Sequence, residues 1–257
     1  MGPLRVAAFQ RRPLFDDVSG ILGRLSADLE WCRQQEVQLA LFPECYLQGY
    51  ATDRETIVAR SLTLDDHEVR EVLSALERYP TTIILGLIER RGASCFNSAV
   101  VIREGRVLGA YAKTHPNEPG FDAGTDYPVF TTHNWPFGIN ICNDANFPDA
   151  ALKVSRQGAR LLCYPLNNML LPKNARKWRS KSVSNLQARA VETGCWIISS
   201  DVVGHHGNQM SYGCTCIVSP NGDVVTRTPE EEEAAVLFDL SLFAGEAPTM
   251  CTVYGAR

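Results

Sequence analysis

Along the whole chain, short apolar runs alternate with longer stretches whose apolar residues recur at helical spacing. Residues 5–10 form the first such run. Residues 17–34 then place Val18, Ile21, Leu22, Leu25, Leu29 and Cys32 along one side of a helix. A strand over 39–42 ends at Pro43-Glu44, a helix covers 66–78, and a strand covers 82–88. Residues 97–102 and 107–111 read as a hairpin turned at Glu104-Gly105. In the second half a strand over 137–141 runs into Cys142, a helix over 148–157 stops at Gly158, and a strand follows over 160–164. A helix over 174–193 stops at Gly194, followed by a strand over 195–200. A hairpin of 212–218 and 224–227 turns at Pro220-Asn221-Gly222, and 234–239 closes the series. Amphipathic helices need an apolar sheet face to cover, so the alternation predicts an α/β fold with sheets inside and helices outside. No linker-like or low-complexity stretch divides the 257 residues, which predicts a single domain over 1–257.

The composition, 45% apolar and 21% charged, is that of a chain that buries a core. A net charge of −4 without a basic stripe argues against a nucleic-acid partner. Arg176, Lys177, Arg179 and Lys181 form one basic cluster, and 230–233 form an acidic run. Each reads as a solvated surface, although the basic cluster is placed to greet an anionic substrate. The residues after Met1 lack a basic segment followed by an apolar run, and no apolar stretch is long enough for a bilayer. No export and no membrane partner are therefore expected. The nine cysteines are odd in number and contain no CxxC pair, which predicts free thiols in a reducing, cytoplasmic compartment. Cys214 and Cys216 lie near His205 and His206 but match no zinc spacing, so no metal is expected.

In layered α/β folds, sites form where loops leave the carboxyl ends of strands. Three such junctions carry reactive groups: Glu44 after Leu41-Phe-Pro, Lys113 after Tyr111-Ala, and Cys142 after Ile139-Asn-Ile. A thiol is a poor nucleophile until it loses its proton. A neighbouring cation lowers its pKa, and a carboxylate takes the proton. The same cation stabilises the oxyanion formed when sulfur attacks a carbonyl. The carboxylate then protonates departing ammonia and activates water. Singly, such residues are more often buried filler or solvated charges, and spacing alone does not bring them together.

The motifs Val6-Ala-Ala-Phe-Gln10, Leu41-Phe-Pro-Glu44, Gly49-Tyr50, Tyr111-Ala-Lys113-Thr-His115, Gly138-Ile-Asn-Ile-Cys142-Asn-Asp144, Phe147-Pro-Asp149 and Gln187-Ala-Arg-Ala-Val-Glu192 follow one another over nearly the whole chain. In order and spacing they resemble the nitrilase superfamily, the carbon–nitrogen hydrolases. The resemblance implies a four-layer αββα sandwich, pairing to αββα–αββα in a homodimer or higher homo-oligomer. It implies a triad of Glu44, Lys113 and Cys142, no cofactor, and a thioester acyl-enzyme that water hydrolyses to a carboxylic acid. The backbone N–H of Asn143 would join Lys113 in the oxyanion hole. Glu118, followed by Pro119-Gly120-Phe121, is the best match to a second active-site glutamate. Tyr50, Asn167, Asn168 and Trp178 are candidates to line the pocket, and Asp144 to hold the nucleophile turn.

The chain also departs from the family. Where members often have Cys-Tyr-Asp-x-Arg-Phe-Pro-Glu, it has Cys142-Asn-Asp-Ala-Asn146-Phe-Pro-Asp149, which removes an arginine beside the nucleophile. Cys-Asn-Asp resembles the carbamoylase branch more than the amidase branch. Nitrile-cleaving members usually show Cys-Trp-Glu, so nitriles are disfavoured. The expectation is an amidase acting on a small linear amide or ureido compound. One rival is an N-carbamoyl amine or amino-acid hydrolase, in which Arg176 or Arg179 would meet a substrate carboxylate. Another is a binding module that kept the fold and lost turnover. His115 and His133 raise a Cys–His hydrolase, against which the Glu and Lys contexts argue. No Gly-x-Ser-x-Gly, dinucleotide glycine fingerprint or His-Glu-x-x-His occurs.

Overall fold

The computed structural model describes residues 2–241 and the backbone of 251–255. Its first half runs β1 (Leu4–Gln10), α1 (Val18–Gln34), β2 (Leu39–Leu41), α2 (Arg54–Arg60), α3 (His67–Leu76), β3 (Thr82–Arg91), β4 (Ser94–Arg103) and β5 (Arg106–Ala112). Then come β6 (Val129–Thr132), β7 (Trp135–Ile139), a 3-10 turn (Cys142–Asn146), α4 (Pro148–Arg156), β8 (Leu161–Pro165), α5 (Pro172–Thr193) and β9 (Trp196–Ser200). The remainder is β10 (Gly204–His206), β11 (Gln209–Ser211), β12 (Cys216–Val218), β13 (Val224–Arg227), β14 (Ala234–Leu240) and β15 (Cys251–Gly255).

One large sheet has the order β15-β14-β1-β2-β3-β4-β5 and the other β13-β12-β9-β8-β7-β6, while β10 and β11 pair apart from both. Each has a parallel centre, β1-β2-β3 and β7-β8-β9, with antiparallel strands outside it. Side chains alternate across a strand. Leu4, Val6 and Ala8 of β1 therefore join the apolar layer between the sheets, while Ala7 and Phe9 meet Ile21, Leu25 and Leu29 of α1. In β8, Leu161 and Cys163 face the other sheet, and Leu162 and Tyr164 pack with Val154 of α4 and Leu186 and Ala190 of α5. The result is four layers, αββα, and each fully buried Leu or Ile contributes about 1.5–3 kcal/mol.

Local chemistry sets the helix ends. Asp17 Oδ1 accepts from the Gly20 N–H at 2.8 Å, capping α1, and Asp53 Oδ1 accepts from the Thr56 N–H at 2.8 Å, capping α2. Gly194, at φ +65°, closes α5. The structure adds α2, β6, β10, β11 and β15 to the elements expected from sequence, and α3 is shorter than 66–78. β7 stops at Ile139 rather than residue 141, because the Ile141 N–H donates to Asp144 Oδ2 at 2.8 Å instead of to a neighbouring strand. The expected strand over 212–218 is reduced to β12, since Gly213 takes φ +82°.

Candidate active site

Glu44 follows β2, Lys113 follows β5, and Cys142 follows β7. The first two hang from one sheet and the third from the other. A close approach lets Glu44 reach its place. A Cβ at Gly86 of β3 would lie 2.3 Å from the Pro43 carbonyl oxygen and 2.7 Å from the Cys45 nitrogen, so only glycine lets the Pro43–Cys45 backbone cross there. The Glu44 N–H then donates to the Leu166 carbonyl at 3.2 Å, tying this crossing to the opposite sheet.

Lys113 Nζ donates to Glu44 Oε1 at 2.8 Å, and Asn97 Nδ2 donates to the same oxygen at 2.6 Å. Asn97 holds the partner too, its carbonyl accepting from the Lys113 N–H at 2.8 Å. Glu118 Oε2 lies 3.6 Å from Lys113 Nζ, and Tyr50 donates its hydroxyl to Glu118 Oε1. Exposure is 1% for Glu44, 1% for Lys113 and 6% for Glu118, so these charges meet one another rather than water. Among the described residues Glu44 Oε2 has no hydrogen-bond partner.

The protonation balance follows from that packing. Burial pushes the Glu44 carboxyl up; Lys113 pulls it back and Glu118 adds to the rise. Burial disfavours the Lys113 charge, but Glu44, Cys142 and Glu118 outweigh it and hold the ammonium above its ordinary range. Cys142 reaches the cavity, yet the walls remove its sulfur from bulk water, and that burial pushes the thiol well up. Glu44 pushes it further, while Lys113 and a backbone hydrogen bond from Asn167 pull it down. Cys142 thus feels both Glu44 and Lys113 electrostatically.

Cys142 sits at φ +42°, a left-handed conformation that non-glycine residues rarely adopt. Asp144 holds it there from inside the turn. Besides the Ile141 N–H, its carboxylate accepts from the Tyr111 hydroxyl at 2.8 Å, the His115 N–H at 2.9 Å and the Thr114 hydroxyl at 3.1 Å. His115 is thus turned to Asp144 (Nδ1 to Oδ1, 3.0 Å) and stacked on Phe147. His133 pairs with Gln38 on the surface, 3.1 Å away, so a Cys–His pair through His133 is excluded by position.

The turn opens into a cavity of about 270 Å³. Cys142, Asn143, Tyr50, Glu118, Asn167, Asn168 and Trp178 all line it. Glu44 and Lys113 lie beneath the lining rather than in it. Arg176 and Arg179 are exposed and outside the lining; Arg179 bonds to Glu230, which corrects their expected part in meeting a substrate carboxylate. Sequence reasoning missed Asn146, Ser182, Asn185 and Gln209 in the lining, and Asn97 behind Glu44. His205 and His206 are exposed, Cys214 and Cys216 are buried, and no cluster able to hold a metal occurs among the described residues.

The sequence profile described as Carbon-nitrogen hydrolase matches residues 5–244. The chain belongs to the carbon–nitrogen hydrolase family. Within this family it is 28% identical over 226 residues to a Pseudomonas protegens protein named "Hydrolase in pqqF 5'region", covering 85% of this chain and 76% of that one. It is 26% identical over 253 residues to the N-carbamoylputrescine amidase of Solanum lycopersicum, covering 88% and 83%. The structure of a Nesterenkonia amidase from the nitrilase superfamily superposes with a TM-score of 0.80 at 22% identity, covering 93% of this chain and 91% of that one. That likeness confirms the four-layer carbon–nitrogen hydrolase fold. Among the described residues no helix is long and apolar enough to cross a membrane.

Proposed function

We propose that this carbon–nitrogen hydrolase cleaves a small linear amide to a carboxylic acid and ammonia, with Cys142 as nucleophile, Glu44 as proton carrier and Lys113 as oxyanion partner. The observation that carries the reading is the half-committed carboxylate: Oε1 of Glu44 is held by Lys113 and Asn97, while Oε2 is buried without a partner. An oxygen in that state is placed to accept a proton. In the first half-reaction Cys142 Sγ bonds to the amide carbon as its proton passes to Glu44. Lys113 Nζ and the Asn143 N–H receive the charge on oxygen. Glu44 returns the proton to the nitrogen, the C–N bond breaks, and ammonia leaves a thioester. Water then attacks, giving one proton to Glu44, and the thiol is restored as the acid departs. Glu118, fixed by Tyr50, adds a second carboxylate beside Lys113 and orients the substrate amide.

A screen of primary amides for ammonia release tests this. Cys142→Ala should lower turnover by at least about 10,000-fold with unchanged circular dichroism; full activity in that variant would sink the mechanism. In the native protein iodoacetamide should label Cys142 faster than the other eight thiols, whereas a flat profile would favour a non-catalytic module. The relationship to N-carbamoylputrescine amidase supports a second reading, an N-carbamoyl amine hydrolase. That reaction yields carbon dioxide with the ammonia, so assaying both products separates the two. Pairing of two chains into an eight-layer dimer belongs to the same proposal, and sedimentation velocity checks it.

A further inference from the structure

Three carboxamides run in a row along the cavity wall. Asn185 Nδ2, from α5, donates to Asn146 Oδ1 at 2.8 Å; Asn146 Nδ2 donates to Asn143 Oδ1 at 2.9 Å; Asn143 Nδ2 donates to the His115 carbonyl at 2.8 Å. All three line the cavity and are half-buried. The row has one direction, because it ends on a backbone carbonyl, which can only accept. A carboxamide has two N–H donors and an oxygen with two lone pairs. The row uses one N–H of each residue and one lone pair on the Asn143 and Asn146 oxygens, leaving a second N–H on each, a lone pair on those two oxygens and the oxygen of Asn185 unused within the row.

The rest of the lining is equally short of charge. Among the described residues Glu118 is its one charged side chain; its Oε1 accepts from Tyr50, and its Oε2, without a hydrogen-bond partner, lies 3.6 Å from the Lys113 ammonium that offsets its charge. A substrate ammonium or carboxylate against this wall would lose its water without meeting an opposite charge, and an uncompensated buried charge is strongly unfavourable. A neutral amide or hydroxyl exchanges its water for the unused donors and acceptors of the row.

We propose, building on the amidase reading of the site, that the cavity selects an uncharged acyl chain bearing hydrogen-bonding groups, with Asn143, Asn146 and Asn185 as the specificity wall. Three primary amides of equal chain length separate the cases: glutaramide is neutral, glutaramate carries a carboxylate, and 5-aminopentanamide carries an ammonium. With the wild-type protein, kcat/KM for ammonia release from glutaramide should exceed that for either charged amide by about tenfold or more. Release should stop after one ammonia, because the product is glutaramate. Calorimetric binding to the Cys142→Ala protein reads the wall apart from turnover and should give the same order. Selective binding of glutaramide without hydrolysis by the wild type would leave the wall standing and remove the amidase reading. A charged amide that binds or reacts as well as glutaramide, or a Cys142→Ala protein that binds none of the three, would overturn the proposal. Asn185→Lys keeps a donor for Asn146 Oδ1 and adds a cation. It should move the glutaramate-to-glutaramide ratio of kcat/KM up by about tenfold, and an unchanged ratio counts against the wall.

Discussion

Two buried ion pairs of similar length have been put to different uses in this molecule. Arg11 grips both oxygens of Asp28, Nε at 3.0 Å and Nη2 at 2.6 Å, while Nη1 donates to the carbonyls of Gln10 and Ala234. Both carboxylate oxygens and all three guanidinium nitrogens are occupied. That pair joins the end of β1 to α1 and offers nothing a further molecule would complete. Lys113 and Glu44 make a bond of 2.8 Å in a still drier place, but one carboxylate oxygen is left over and Glu118 crowds in as a second negative group. A buried polar atom without a partner is unfavourable. On the proposed mechanism its presence beneath a cavity suits the Lys113–Glu44 pair to chemistry, where the Arg11–Asp28 pair fastens a helix.

The comparison can be broken from either side. Glu44→Gln keeps the shape and removes the proposed proton carrier, so kcat should fall by about 100- to 10,000-fold while the urea midpoint barely moves. Loss of the fold in step with activity would make this pair structural after all. Arg11→Met strands the Asp28 carboxylate and should cost about 3–5 kcal/mol of stability, read from urea unfolding, with kcat/KM per folded molecule unchanged. Adding Asp28→Leu removes the stranded charge and should recover most of that loss, to within about 1–2 kcal/mol of the native protein.

A third buried carboxylate sharpens the contrast through pH. Asp201, behind the cavity, accepts from the Asn168 N–H at 3.0 Å, Asn168 Nδ2 at 2.6 Å and the Val202 N–H at 2.8 Å, but among the described residues has no cation paired with it. Burial raises its pKa to about 7, from 3.8. Between those values the folded protein binds the extra proton, so this group's contribution to stability declines as pH rises from about 4 to 7 and is level above. Melting temperatures across that range should show the decline, and Asp201→Asn should flatten it; an equal slope in the variant would assign the effect elsewhere. The salt-bridged Asp28 should contribute a smaller slope over the same range.

Much of this was legible in the residues, and the gaps have physical reasons. Strands such as β1 and β8 are near-continuous apolar runs because both faces are buried, α1 carries an apolar period, and α5 is long and closed by Gly194. α2 has seven residues, too few to show a period, and β10 and β11 are three-residue strands, Gly-His-His and Gln-Met-Ser, with a single apolar side chain between them. Ile141 continues the apolar pattern of β7, and only the bond from its N–H to Asp144 takes it out of the sheet. At the site, Glu44, Lys113 and Cys142 were visible because each ends an apolar run. Asn146 and Asn185 were not, since asparagine is ordinary on turns and exposed helix faces. Their meeting depends on how α5 lies against the 3-10 turn, which no local pattern encodes.

Cys142 hangs from one sheet and Glu44 from the other, and what separates the sheets is mostly apolar. Such a layer resists being pulled apart far better than it resists slipping sideways, because burial by itself has no direction. Bonds across the gap, such as the Ser200 hydroxyl to the Phe9 carbonyl at 2.6 Å and Thr82 to Thr132 at 2.8 Å, act as dowels. On the proposed mechanism, turnover becomes a gauge of alignment between two plates. Heat should extinguish ammonia release at temperatures where both plates are still intact.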